Sequence, residues 1–162
     1  MIGASCNGFE AVANCLIQAG AIVDACDMAG RTALSHASEG GHAGIVQSLI
    51  QAGAVLNGRS WSNGRTALMY AADGSHKSVV ELLVEAGADA NVKDKDGSTA
   101  LLLTSFWGTE EVVRLLIKGG ANVNIKDNEG RSPVSLATFW DKEGIRQLLI
   151  EAGAAWDGHM TV

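Results

Sequence analysis

Short apolar segments alternate with polar, glycine-containing segments along the 162 residues of the chain. In one such stretch, polar residues and Gly97 predict a turn. The residues that follow predict a helix from about Thr99 to Trp107, with the Thr99 hydroxyl as its cap. A second helix is expected to begin near Thr109, because the next apolar residues fall on one helical face. Helices of about 9 to 11 residues are not stable alone, so these helices are expected to pack against neighbours.

The pair of segments recurs at a nearly constant interval. Five Gly-Ala dipeptides are separated by 33, 34, 33 and 33 residues, and they begin at Gly20, Gly53, Gly87, Gly120 and Gly153. A second series keeps the same spacing, two residues after a glycine, at Thr32, Thr66, Thr99 and Ser132. Self-similarity at this period predicts a stacked repeat protein, in which neighbouring units bury each other's apolar faces.

Equivalent apolar positions predict the core. Three columns of large residues comprise Leu34, Leu68, Leu101 and Val134; Val12, Ile45, Val79, Val112 and Ile145; and Leu16, Leu49, Leu83, Leu116 and Leu149. Small residues are expected where helices approach closely, namely Ala37, Ala71 and Ala137, with Thr104 in the fourth unit. Cys15 aligns with Leu82, Leu115 and Leu148 and is therefore predicted to be a buried small hydrophobe.

Several segments resemble ankyrin repeats, namely Gly30-Arg31-Thr32-Ala33-Leu34, Gly41-His42, Gly53-Ala54, residues 64–72 and Ala88-Asp89-Ala90-Asn91. The resemblance covers almost the whole chain. It implies an all-α ankyrin-repeat solenoid of helix-turn-helix units joined by β-hairpin-like turns, with about five repeats and an incomplete first one. The expected domain spans residues 1–157, with units one to five at about 1–25, 26–58, 59–92, 93–125 and 126–157, and a tail at 158–162.

The chain departs from the family pattern Thr-Pro-Leu-His at the start of the first helix. Only Pro133 keeps the proline, and the histidine, which ties neighbouring loops together in the family, is replaced by Ser35, Met69, Leu102 and Ser135. The last unit carries Arg146 at a position that is Val in inner units, as expected for an outer face that meets water. Trp156 is expected to cover the exposed end of that unit.

Composition narrows the functional classes. Hydrophobic residues make up 47% of the chain, enough to fill a core. The net charge of −6 argues against non-specific nucleic-acid binding, which needs a basic face. No apolar run is long enough to predict membrane insertion, and the N-terminus lacks the pattern of a signal peptide. The odd count of three cysteines does not resemble a disulfide framework and favours a cytoplasmic or nuclear location.

No residue set predicts catalysis. The glycines punctuate turns, and neither a phosphate loop nor a nucleophile elbow is present. Cys6, Cys26 and His36 come nearest to a metal-ligand set, but they lack the close ligand pairs of zinc sites. We therefore expect a non-enzymatic protein with no metal and no cofactor.

The end of the first helix carries the main candidate for binding. Units two and three have Glu39-Gly40 and Asp73-Gly74 there, which predicts exposure to solvent. Units four and five instead have Phe106-Trp107 and Phe139-Trp140, half of the eight aromatic residues of the chain. The ankyrin resemblance places these pairs in the concave groove, where tryptophans are preferred interface anchors. The alternative is that Trp107 packs along its own helix and fills the interface between units.

The turns offer further candidates. The turn before unit three is one residue longer, and Trp61 aligns with Asp27, Asp94 and Asp127 of the other units. Trp61 is predicted to be a lateral contact, or else to fold onto its own hairpin. Arg65, Lys95 and Arg131 are interleaved with acidic residues, and we expect this edge to accept acidic groups locally. The alternative is an ordinary solvated edge.

These observations predict a protein–protein interaction module that binds a protein or peptide partner through its concave groove and turn tips. A monomer is expected, and a homodimer formed through the aromatic residues stays open. A further alternative is a targeting or regulatory segment of a larger enzyme, channel or signalling protein. The resemblance also implies that Asn91 or Asn124 is a candidate for asparagine hydroxylation in a host that has the enzyme.

Overall fold

The computed structural model describes residues 1–155, and the expectations for Trp156 and the tail lie outside this part of the chain. Within it, ten α-helices follow one another without a strand: α1 Ile2–Cys6, α2 Glu10–Gln18, α3 Ala33–Glu39, α4 Ala43–Gln51, α5 Ala67–Asp73, α6 Lys77–Glu85, α7 Ala100–Trp107, α8 Glu110–Lys118, α9 Pro133–Phe139 and α10 Glu143–Glu151. The odd-numbered helices pack side by side in one layer, and the even-numbered helices pack in a second layer. The protein is therefore a two-layered, all-α repeat solenoid.

Each odd-numbered helix from α3 onward begins at a hydroxyl cap. The side chains of Thr32, Thr66, Thr99 and Ser132 accept hydrogen bonds from the backbone N–H groups of Ser35, Met69, Leu102 and Ser135. Such a cap typically stabilises a helix by about 1 kcal/mol, because it satisfies a backbone donor that has no partner within the helix. In α9 the Ser135 hydroxyl also accepts from the Ser132 N–H, which completes a capping box.

The predicted core columns are buried in units two to five. Unit one differs: Val12 is 50% exposed, Leu16 is only partly buried and Cys15 is exposed. The prediction that Cys15 is buried is therefore wrong. The reason is geometric, because α2 packs on α1 and α4 and no further unit covers its other side within residues 1–155. All three cysteines are free and exposed.

Four short turns project from the stack and close like hairpins. The N–H of Asp27 donates to the Arg31 carbonyl at 3.0 Å, and equivalent bonds join Ser60 to Arg65, Asp94 to Ser98 and Asp127 to Arg131. Ser60, rather than Trp61, thus occupies the position of the turn aspartates, which corrects the sequence alignment. The extra residue in the turn of unit three is accommodated between the two ends of this hairpin.

The side chain of Asn63 accepts the turn hydrogen bond that an aspartate accepts in the other turns. The Asp27 Oδ1 atom accepts from the Arg31 N–H at 2.9 Å, and Asn63 Oδ1 accepts from the Arg65 N–H at 3.1 Å. Backbone bonds then join successive tips: the Trp61 N–H donates to the Ala29 carbonyl at 2.7 Å. The turns therefore form a continuous edge beside the layer of odd-numbered helices.

Candidate binding surface

The C-terminal ends of α7 and α9 bring four aromatic side chains together, and we call Phe106, Trp107, Phe139 and Trp140 the aromatic cluster. The ring of Phe106 lies edge-on to both tryptophans, with centroid separations of 4.3 Å to Trp107 and 4.4 Å to Trp140. Phe139 contacts Trp140 at 5.3 Å. The Phe139–Trp140 separation lies within the range that aromatic pairs favour, and the two Phe106 contacts are slightly closer. The four rings therefore pack directly against one another.

The cluster is accessible as well as packed. Trp107 is 63% exposed, Phe139 59% and Trp140 40%, whereas Phe106 is half-buried between the tryptophans. Glu39 and Asp73 are also exposed, in agreement with the phase argument from the repeats. Each indole thus packs on its neighbours with part of its surface and exposes the rest.

A second substitution makes room for the tryptophans. Units two and three have Gly40 and Gly74 at this position, and a Cβ atom at Gly74 would lie 2.5 Å from the His76 imidazole. A Cβ atom at Gly40 would collide with His42 in the same way. Units four and five have Thr109 and Lys142 at the histidine position. A large side chain thus appears only where the histidine is absent.

Beside the aromatic cluster lies a pocket of about 520 Å³. Its apolar lining residues are Leu102, Leu103, Phe106, Trp107 and Leu136. Its polar lining residues come from α5 and from the turns of units three to five, namely Arg65, Asp73, Asp94, Asp96, Ser98, Asp127, Glu129 and Arg131. The pocket is concave, about the size of small-molecule and side-chain pockets, and lined by side chains of both kinds.

Both arginines of the pocket are already neutralised. Arg65 contacts Asp73 at 2.7 Å and Asp94 at 3.5 Å. Arg131 contacts Asp127 at 2.7 Å and Glu129 at 2.9 Å. Against these two cations the pocket has five carboxylates, which gives a formal lining charge of 2 − 5 = −3. The formal charge of the lining therefore does not support the expectation that this edge accepts acidic groups, which stays a prediction.

Trp61 and Lys95 do not line the pocket. A Cβ atom added to Gly30 would lie 2.5 Å from the Trp61 ring, so the indole covers the preceding turn, yet it is 63% exposed. The Lys95 ammonium donates to the Trp61 carbonyl at 2.6 Å. The turn tip is thus a separate surface, and of the eight predicted contacts only Phe106, Trp107, Arg65 and Arg131 line the pocket itself.

The sequence analysis noted acidic residues along this edge but did not assign them to the binding site. Asp96 and Glu129 occupy one turn position in units four and five, where units two and three have Ala29 and Asn63. This change from neutral to acidic coincides with the change to aromatic residues at the ends of α7 and α9. The joint appearance of acidic and aromatic residues in units four and five was the sequence signal that could have identified the pocket.

Outside the pocket, the Asp27 carboxylate accepts hydrogen bonds that hold its turn together. Bonds from the Arg31 N–H and from the His36 imidazole, 2.9 Å from Oδ2, hold the pKa of the Asp27 carboxyl below its usual 3.8.

Residues 1–155 contain no group of three or more His, Cys, Asp or Glu side chains that could hold a metal ion. No helix in the same range is long and apolar enough to cross a bilayer.

Comparison with known proteins agrees with this architecture. A family model described as "Ankyrin repeats (3 copies)" matches residues 1–94 and 75–158. No curated protein matches the chain. The two family matches together cover nearly the whole sequence. The chain therefore belongs to the ankyrin-repeat family.

Proposed function

We propose that this protein is a non-enzymatic recognition module that binds a protein or peptide partner through the aromatic cluster and the adjoining pocket. Ankyrin repeats are generally protein–protein interaction modules. The observation that supports the specific site is the exposure of Trp107, Phe139 and Trp140 in one contiguous patch at the rim of a concave pocket. Exposed clusters of large aromatics are uncommon on monomers and usually mark contact sites.

Rigid anchors favour this role. The four rings hold each other in place through edge-on contacts, so little side-chain freedom is lost when a partner docks. Trp61 and Lys95 would form a lateral contact at the turn tips, outside the pocket. We further propose that the protein is a monomer. We also propose a location in the cytoplasm or nucleus, because three free cysteines are typical of a protein in a reducing compartment.

The test compares wild type with a Trp107→Ala/Trp140→Ala double variant and with Phe9→Ala. Phe9 is a matched control, because it is exposed to a similar extent but lies at the start of α2. Each protein is used in a quantitative pull-down from native extract, and thermal melting shows that each is folded. We expect proteins retained by wild type and by Phe9→Ala to be lost by the double variant. Equal retention by all three folded proteins would refute the proposed site.

A further inference from the structure

One turn position explains why the pocket is open at unit four. Arg31, Arg65 and Arg131 occupy equivalent positions in the turns of units two, three and five, and unit four has Ser98 there. The serine lines the pocket but carries no guanidinium. The pocket lies around Ser98, between the two neighbouring units that supply their own arginines.

The surroundings of Arg31 and Arg65 show which groups contact a guanidinium in the groove. The Arg31 guanidinium lies 4.5 Å above the centroid of the Tyr70 ring of the next unit and pairs with the Glu39 carboxylate. Arg65 bridges two carboxylates, Asp73 and Asp94. In each case a guanidinium contacts a carboxylate, and at Arg31 it also stacks on an aromatic face.

The surroundings of this position differ at unit four, because Phe106 stands where Glu39 and Asp73 stand and Leu136 stands where Tyr70 stands. Phe106 and Trp107 supply aromatic surface to the pocket. The Asp96 carboxylate also lines the pocket, is exposed and forms no salt bridge with any residue in the range 1–155. The lining has an excess of three negative charges, which a missing cation would reduce.

We propose that the partner supplies the missing guanidinium: the pocket binds an arginine side chain of an extended peptide segment, between Trp107 and Asp96. Apolar residues beside that arginine would contact Trp140 and Phe139, which continue the surface along α9. This inference rests on the proposed function and adds the chemistry of the partner to it. A lysine would pair with the carboxylates but lacks the flat face that stacks on an indole, so arginine is preferred.

A selection of random displayed peptides on the full chain tests the proposal, followed by fluorescence anisotropy with the selected peptides. The key variant is Ser98→Arg, which supplies the guanidinium from the chain itself and leaves Trp107 in place. Arg131 shows that the turn accommodates arginine, because its backbone makes the same bond to the turn aspartate. Ser78→Arg is the matched control, because it adds a guanidinium at an exposed serine of α6 that does not line the pocket.

We expect the selected peptides to be enriched in arginine, and their affinity to fall about ten-fold or more in Ser98→Arg and in Trp107→Ala. Ser78→Arg should change the affinity less than about two-fold. Replacing the peptide arginine by glutamine should cause the same loss as Ser98→Arg.

Two further outcomes separate the claims. Peptides that need Trp107 but lack arginine, or that bind Ser98→Arg as well as wild type, would overturn the arginine pocket and leave the proposed function intact. Peptides that are indifferent to Trp107→Ala, or a selection that yields no binder, would overturn both.

Discussion

The position of Trp61 over Gly30 leads to a quantitative prediction about stability. Gly30 and Gly130 are equivalent turn residues with nearly the same left-handed backbone, at φ of 74° and 78°. A Cβ atom at Gly30 would lie 2.5 Å from Trp61 Cγ, whereas no described atom lies within 4 Å of a Cβ atom at Gly130. The two alanine variants therefore differ mainly in whether an indole must move.

The expected magnitudes follow from the backbone and from the covered area. A left-handed backbone costs a residue with a Cβ atom about 1 kcal/mol, and this cost lowers the free energy of unfolding of both variants. Trp61 is 63% exposed, so about a third of a side chain of roughly 250 Å² is covered. At about 25 cal/mol per Å², complete loss of that contact costs at most about 2 kcal/mol. We expect a loss of about 1 kcal/mol for Gly130→Ala and about 2–3 kcal/mol for Gly30→Ala.

Urea unfolding followed by far-ultraviolet circular dichroism measures these differences without relying on indole fluorescence. Trp61→Ala completes a double-mutant cycle, and in that background Gly30→Ala should cost only about 1 kcal/mol, like Gly130→Ala. The slopes of the unfolding curves should remain equal. Equal losses for the two glycine variants, or a Gly30→Ala loss that Trp61→Ala does not change, would refute the proposed packing of the indole.

Three other predictions use features of single units. Val12 and Val79 share a column, but Val12 is 50% exposed and Val79 is 1% exposed. Val79→Ala should therefore lower the free energy of unfolding by about 2 kcal/mol, and Val12→Ala should lower it by less than about 1 kcal/mol. Equal losses for the two variants would contradict the difference in burial. The pKa of Asp27 is lowered from 3.8, so its ionised form stabilises the fold above that pH and the contribution is lost as the pH falls through the lower folded value. NMR titration should therefore place the Asp27 midpoint below 3.8, and the stability difference from Asp27→Asn should shrink below pH 3.8; a midpoint at or above 3.8 would contradict the turn geometry. Light scattering over a concentration series should give a constant monomer mass, and a mass that doubles in wild type but not in Trp107→Ala would favour a homodimer through the aromatic cluster instead.

Repetition made most of the fold predictable from the sequence. The hydroxyl caps follow from local chemistry, because a β-hydroxyl can accept a nearby backbone N–H in any unit. The start of α8 follows from Glu110 and Glu111, because acidic side chains are favoured in the first turn of a helix. The buried columns were predictable for the same reason, since equivalent positions share one environment. Cys15 and Val12 were misjudged because, within residues 1–155, no unit packs against the side of α2 opposite α4.

The candidate site was only half predictable. Exposure of Trp107 followed from the charged residues at the same position in units two and three. The pairing of Arg65 with Asp94 did not, because it joins side chains from adjacent turns and depends on how far each turn projects. The displacement of Trp61 by one position also needed coordinates, since a one-residue insertion can be placed at several points of a polar turn without a sequence signal.

The lengthened turn of unit three has a practical consequence for protein engineering. Its hairpin closes at Ser60 and Arg65, and Asn63 still accepts from the Arg65 N–H, so the surplus residue is taken up between these two positions. The N–H groups of Trp61 and Ser62 both donate to the Ala29 carbonyl of the preceding turn. A loop grafted between these two residues would break that connection, so an engineered array should leave the Trp61–Ser62 peptide intact.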